Sequence, residues 1–75
     1  MQEMLEYIVK NLVSNPDAVN IELDNQGKTK VYKVQVDSKD LGSVIGRGGI
    51  IANAIRTVVK STSGKDRLVI KFEAK

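Results

Sequence analysis

Apolar and polar positions divide the chain into six periodic segments. Met1, Met4, Leu5, Ile8, Val9, Leu12 and Val13 recur at the spacing of one helical face, with Glu3, Glu6, Lys10 and Asn11 on the other. Ser14-Asn15-Pro16 stops this helix, because a residue before proline is pushed out of the α region. The polar face lacks the Lys/Arg density of a membrane-surface helix, so the apolar face is expected to pack on a core. Val19, Ile21 and Leu23 then alternate with Asn20, Glu22 and Asp24, which predicts a strand with one buried face. Asn25-Gln26-Gly27 supplies turn chemistry. A second alternating run follows in Tyr32, Val34 and Val36 against Lys33 and Gln35, with Val31 out of phase. A hairpin is the simplest way to join the two strands; the alternative is that the third strand lies between them.

Asp37 or Ser38 can cap a short helix through Lys39-Asp40-Leu41, which Gly42-Ser43-Val44-Ile45 carries into Gly46-Arg47-Gly48-Gly49. Beyond the glycines, Ile51, Ala52, Ile55, Val58 and Val59 fall within about 120° of one another on a helical wheel. Asn53, Arg56, Thr57 and Lys60 lie opposite, and Ile50 points away from the apolar face, free for a ligand or a partner. Ser61-Thr62-Ser63-Gly64 ends this helix, with Gly64 suited to a left-handed cap. Leu68, Ile70 and Phe72 alternate with Val69, Lys71 and Glu73 as the last strand. The pattern therefore predicts an α+β fold in which three helices pack on one three-stranded sheet.

The glycine stretch is where chemistry is concentrated. Three glycines in four residues leave a backbone that a ligand can approach closely, and the helix that starts there has N–H groups without intrahelical partners. Its dipole favours a negative ligand, and Arg47 adds a cation. A phosphate group suits such a surface.

Composition narrows the classes. At 75 residues the chain is one domain, residues 1–75, and it has no Cys and no His, which removes disulfides, thiolate nucleophiles and imidazole or zinc chemistry. No Ser or Lys sits in a recognisable nucleophile motif, so an enzyme is not expected. Asp37 and Asp40, with no third ligand, read as helix caps rather than a metal pair. Apolar runs are short, and Glu3 and Glu6 stand where a signal peptide would be basic, so a soluble, cytoplasmic protein is expected, with no membrane association. The net charge of +3 is unevenly spread: residues 1–25 hold five acids and one base, residues 26–75 eleven bases and four acids. That field steers a polyanion toward the part holding the glycines.

Three phosphate motifs can be set against the loop. A P-loop read from Gly42 requires glycine where Arg47 stands, and a dinucleotide G-x-G-x-x-G begun at Gly46 requires its third glycine at Ile51. The acid some way beyond, Asp66, precedes the last strand instead of closing one. A G-x-x-G between two helices remains, which is the K-homology (KH) arrangement that grips about four nucleotides by their backbone.

Residues 41–60 resemble the KH core Val-Ile-Gly-x-x-Gly-x-x-Ile-x-x-Ile, and with the first helix and two strands the chain resembles a type II KH domain, α-β-β-α-α-β, with its core at about 29–75. Asp37, Asp40, Gly42, Val44 to Arg47, Gly49 and Ala54-Ile55-Arg56-Thr57 are similar to the small single-domain bacterial KH proteins of the KhpA (YlqC) family. Ala52 departs from the KH pattern, which prefers Ile there. The resemblance implies sugar-phosphate contacts at Gly46, Arg47, Gly48 and Gly49, and a narrow apolar groove for bases lined by Val44, Ile45 and the start of the next helix at Ile50. Arg56 and Lys60 are candidates for additional phosphate contacts, and Lys65, Arg67 and Lys71 for a basic edge. With one Phe and two Tyr, an aromatic stacking platform is not expected, and a KH groove does not need one.

The resemblance implies a non-catalytic single-stranded RNA-binding protein without cofactor or metal. Its implied role is that of an RNA chaperone or post-transcriptional regulator, assembled as a homodimer or as a heterodimer with a larger KH-containing protein. The competing class is a protein-interaction adaptor whose KH fold mainly dimerises, with Ile50 and the helix faces as the contact.

Overall fold

The computed structural model describes residues 2–61 and 67–75. The elements run α1 (Gln2–Leu12), β1 (Asn20–Gln26), β2 (Thr29–Val36), α2 (Leu41–Ile45), α3 (Ile50–Lys60) and β3 (Arg67–Ala74), with short 3₁₀ turns at Pro16–Ala18, Ser38–Asp40 and Arg47–Gly49. This is the α+β arrangement read from the sequence, three helices on a three-stranded sheet. Met1, the proposed cap at Gly64, and Lys65 and Asp66 lie outside the described residues.

The sheet order is β1-β2-β3. β1 and β2 form an antiparallel hairpin, so no strand intervenes between them. β3 runs parallel to β2, which the α2–α3 crossover allows. The turn sits one step later than the polar run suggests: Asn25 and Gln26 remain in β1, and Gly27-Lys28 makes the reversal. Gly27 has φ 64° while Lys28 has no positive φ, the pattern of a type II′ hairpin turn that needs glycine first.

The core forms where the helices meet one face of the sheet. Leu5 and Val9 of α1, Val34 and Val36 of β2, Val44 of α2 and Val59 of α3 have no exposed surface, and Tyr32, Ile55, Leu68 and Ile70 complete the cluster. Each such aliphatic side chain withdrawn from water contributes about 1.5–3 kcal/mol before conformational entropy is subtracted. As the central strand, β2 is the most buried, and even the out-of-phase Val31 is covered on the opposite face.

Three expectations of burial are corrected. β1 is an edge strand whose expected buried face reduces to a half-buried Ile21, while Leu23 is exposed and Val19 precedes the strand. Leu12, on the expected apolar face of α1, is also exposed, because α1 ends there and the chain turns away. On α3, Ala52, Ile55 and Val59 are buried and Ile51 half-buried, but Val58 is 49% exposed. The stripe that packs on the sheet is narrower than the wheel suggests.

Candidate nucleic-acid interface

α2 delivers the chain into the glycines and α3 leaves from them. Gly46 ends α2 with φ 75° and ψ 171°, a region open essentially to glycine alone, while its N–H still closes the last turn onto Gly42 O at 2.9 Å. A Cβ on Gly46 would stand 2.7 Å from Ile51 Cγ1 and 3.0 Å from the Ile51 backbone N, so glycine is required there twice over. Gly48 (φ 65°) and Gly49 (φ 82°) are both left-handed, yet a Cβ on Gly48 would meet nothing within 4 Å. Gly46 shapes the turn, and Gly48 is its open tip.

The donors at this tip are unspent. Gly49 N–H bonds Gly46 O at 3.2 Å and Ile50 N–H bonds Arg47 O, but the Arg47 and Gly48 N–H groups donate to nothing among the described residues. Arg47 is exposed and has no ion-pair partner among them. Two N–H groups, a guanidinium and the positive end of the eleven-residue α3 therefore converge, with no acid among the described residues neutralising them. Ile50, 68% exposed, sits directly beside the tip as an uncovered apolar group.

The remaining candidates are placed differently. Ile45 is half-buried at the end of α2, packed against the core but reaching the surface beside the loop. Val44 corrects an expectation: with no exposed surface it belongs to the core and cannot line a groove wall, so its part is to hold α2 down. Lys60 is exposed at the far end of α3.

Arg56, expected on the polar face of α3 and as a candidate phosphate contact, is half-buried and already engaged by neighbouring groups. Its Nε and Nη2 both donate to Ile70 O at 3.3 Å, its Nη1 donates to Asn53 Oδ1 at 3.0 Å, and its guanidinium lies 5.5 Å from the Phe72 ring centre. The residue thus bridges α3 and β3, leaving fewer N–H groups for a ligand. Asn53 and Phe72 are the partners that sequence reasoning missed. The i to i+3 spacing of Asn53 and Arg56 was a readable signal, whereas the approach of Phe72 depends on where β3 lands.

Asp40, read as a helix cap, makes no capping bond to α2. Its carboxylate reaches back to the end of α1 instead, accepting from Ser14 Oγ at 2.7 Å, Ser14 N–H at 3.0 Å and Asn15 N–H at 3.1 Å. Asp37 does cap, accepting from Lys39 N–H at 3.1 Å. The Ser14 hydroxyl bond, followed by the Ser14 N–H bond, holds the Asp40 carboxyl below its ordinary value against the opposing effect of burial. This tie fixes the start of α2, and with it the direction in which the glycine turn is presented.

Among the described residues no helix is long and apolar enough to cross a membrane. No solved structure gives a significant match to the chain. Residues 2–73 match the family model described as the KhpA/KhpB KH domain. The chain is 45% identical over 65 residues to an RNA-binding protein KhpA of Streptomyces coelicolor, covering 87% of this chain and 82% of that protein. It is 37% identical over 73 residues to an RNA-binding protein KhpA of Chlamydia trachomatis, covering 97% and 94% respectively. An RNA-binding protein KhpA of Mycobacterium tuberculosis is 40% identical over 63 residues, covering 84% of this chain and 79% of that protein. With helix, hairpin, glycine turn and final strand all in the order that the fold requires, the chain belongs to the KhpA/KhpB KH-domain family.

Proposed function

We propose that the protein binds single-stranded RNA, without catalysis, by clamping its sugar-phosphate backbone at Gly46, Arg47, Gly48 and Gly49. The observation that carries this reading is the pair of N–H groups at Arg47 and Gly48, unspent among the described residues, beside an Arg47 side chain with no ion-pair partner among them. Backbone donors of this kind position a phosphate without reading sequence. Ile50 and the exposed part of Ile45 offer apolar surface to the adjacent bases, and Lys60 extends the cationic side of α3. Arg56 contributes through the N–H groups it does not spend on Ile70 and Asn53. The relatives named as RNA-binding proteins support the same ligand. One clamp covers few nucleotides, so the role that fits is a cytoplasmic RNA chaperone or post-transcriptional regulator of low intrinsic sequence specificity.

A second reading is favoured by α3. Ile50, Ala54 and Val58, at i, i+4 and i+8, form an exposed apolar stripe that nothing among the described residues covers. We infer that this stripe pairs the domain with a second copy or with a larger KH-containing protein, so that two weak clamps act on one strand.

Fluorescence anisotropy of a labelled single-stranded RNA tests the clamp, with wild type set against an Arg47→Asp, Gly48→Asp variant. The left-handed position at Gly48 tolerates Asp sterically, so the variant should fold. Wild type is expected to show a log–log salt slope of about −2 to −3, for roughly three or four phosphates, and the folded variant to lose binding. Equal binding by both removes the clamp. Binding by neither, with a stable dimer in solution, leaves the adaptor reading.

A further inference from the structure

The helices cover one face of the sheet, and the other face carries cations that the clamp does not use. Tyr32, Val34 and Val36 of β2 and Leu68 and Ile70 of β3 point into the core with the helices. By alternation Lys33, Arg67, Val69 and Lys71 point to the opposite face, on which no helix among the described residues packs. The register sets Lys33 directly opposite Lys71 and Val31 directly opposite Val69. Arg67, opposite Thr29, stands four residues from Lys71, about 13 Å along the strand. We propose that this helix-free face is a second contact surface for single-stranded RNA, separate from the glycine turn, with Lys33, Lys71 and Arg67 as its phosphate contacts.

The lysine pair is the observation that asks for an anion. Like charges directly opposite on neighbouring strands are destabilising, and a bound phosphate removes that cost. Neither ammonium makes an ion pair among the described residues, although Glu22 is opposite Lys33 on its other side and Glu73 lies two residues beyond Lys71. The two strands lie about 4.8 Å apart, so both ammonium groups reach the same stretch of sugar-phosphate backbone. Between this pair and Arg67 lie Val31 and the half-buried Val69, neither of them in the core cluster. They form an apolar floor between the cations, against which a ribose or the face of a base packs.

The surrounding charges fix where the strand lies. Glu22 and Asp24 of β1, both exposed, stand beside Lys33 and Val31 and repel a polyanion from that side. Glu73 closes the end beyond Lys71. What remains is a path along β2 and β3 from the lysine pair to Arg67. The choice of RNA as occupant rests on the proposed function: a strand gripped over few nucleotides at the glycine turn has further phosphates to place, and a second surface on the same domain meets them at high effective concentration. The domain measures 33 × 21 × 18 Å. Even at a stacked rise of about 3.4 Å per nucleotide, a strand of about 12 nucleotides spans about 40 Å, enough to reach from one surface to the other.

Anisotropy with two lengths of labelled single-stranded RNA separates the two surfaces. With a strand of about 12 nucleotides, a Lys33→Gln, Lys71→Gln variant should bind roughly five- to twentyfold more weakly than wild type at about 0.1 M salt, with a log–log salt slope shallower by about 0.7–1.4. A charge-matched Lys10→Gln, Lys39→Gln variant, altered away from this face, should stay within about twofold of wild type. A strand of about four nucleotides fills the glycine turn alone, so it should bind the Lys33→Gln, Lys71→Gln variant as it binds wild type and be lost from Arg47→Asp, Gly48→Asp. In NMR spectra the amides of Lys33, Val69 and Lys71 should shift with the long strand and not with the short one. The proposal is overturned if the lysine variant holds the long strand as wild type does, or if the charge-matched control weakens it equally. Shifts confined to residues 45–50 also overturn it, as does an acidic peptide that moves the sheet amides when RNA does not. If the short strand binds Arg47→Asp, Gly48→Asp undiminished while the lysine variant still weakens the long one, the clamp falls and the sheet face stands; wild type that holds neither strand overturns both.

Discussion

The carboxylate of Asp40 holds the Ser14 hydroxyl at 2.7 Å and the Ser14 N–H at 3.0 Å, across 26 positions of sequence. Asp40 is only 4% exposed, the one buried charged side chain among the described residues, and all its contacts are donors. A carboxylate in that setting is stable because hydrogen bonds replace the water it has lost. Its consequence is mechanical: the end of α1 and the start of α2 share one anchor, immediately before the glycine turn.

Acid should loosen this anchor. The folded-state pKa of Asp40 is depressed below 3.8, chiefly by the Ser14 hydroxyl, so its stabilisation is complete above the unfolded value and is lost as pH falls through the lower folded one. Asp40→Asn cannot accept from all three donors. The variant should be less stable than wild type at neutral pH, and the gap should narrow in that acid window. Urea unfolding across the pH range checks this, and a gap independent of pH would show that the charge of Asp40 is irrelevant.

The glycines of the turn should not be equally replaceable. Gly46→Ala forces a Cβ to 2.7 Å from Ile51 in a conformation suited only to glycine, and should cost about 2–3 kcal/mol. Gly48→Ala meets open space and carries only the left-handed penalty, about 1 kcal/mol. Unfolding free energies of the two variants provide the comparison. Equal costs would mean that the Ile51 contact relaxes freely.

Element order and the glycine turn were legible because they depend on local signals: period, proline, glycine. What was not legible depends on neighbours. The pattern of β1 reads as half-buried, yet only position in the sheet tells an edge strand from a central one. Asp40 looks like a cap, since capping is the commonest local use of such a residue, and its true partners lie 25 and 26 positions away. Arg56 has a polar-face address on the helical wheel, but its long side chain crosses to a strand 14 residues further on. Val44 belongs to the motif and to the core at once, and the sequence cannot separate the two.

Val44 and Ile50 should therefore separate under mutation although both flank the turn. Val44→Ala removes two fully buried methyl groups and should cost about 2 kcal/mol. Ile50→Ala trims an exposed side chain and should leave stability within about 0.5 kcal/mol. On the proposed function, Ile50→Ala should instead weaken RNA binding or self-association. Chemical unfolding combined with anisotropy distinguishes them, and a large stability loss at Ile50 would mean that it is covered in the folded protein.

The bridge from α3 to β3 makes the last prediction quantitative. Arg56 gives Ile70 O two donors at 3.3 Å, long enough to be individually weak, and places its charge 5.5 Å from the Phe72 ring. A net hydrogen bond contributes about 1 kcal/mol and a partly exposed cation–π contact about 0.5–1 kcal/mol. Arg56→Lys keeps the charge but loses the planar fork, so it should cost about 1 kcal/mol. Phe72→Leu keeps most of the apolar volume and removes the ring. If the guanidinium is held by both partners, the double variant should be less destabilised than the sum of the singles, by about 0.5 kcal/mol or more. Strict additivity in that cycle would show that the ring and the guanidinium are merely neighbours, and that the Ile70 carbonyl alone draws Arg56 to the strand edge.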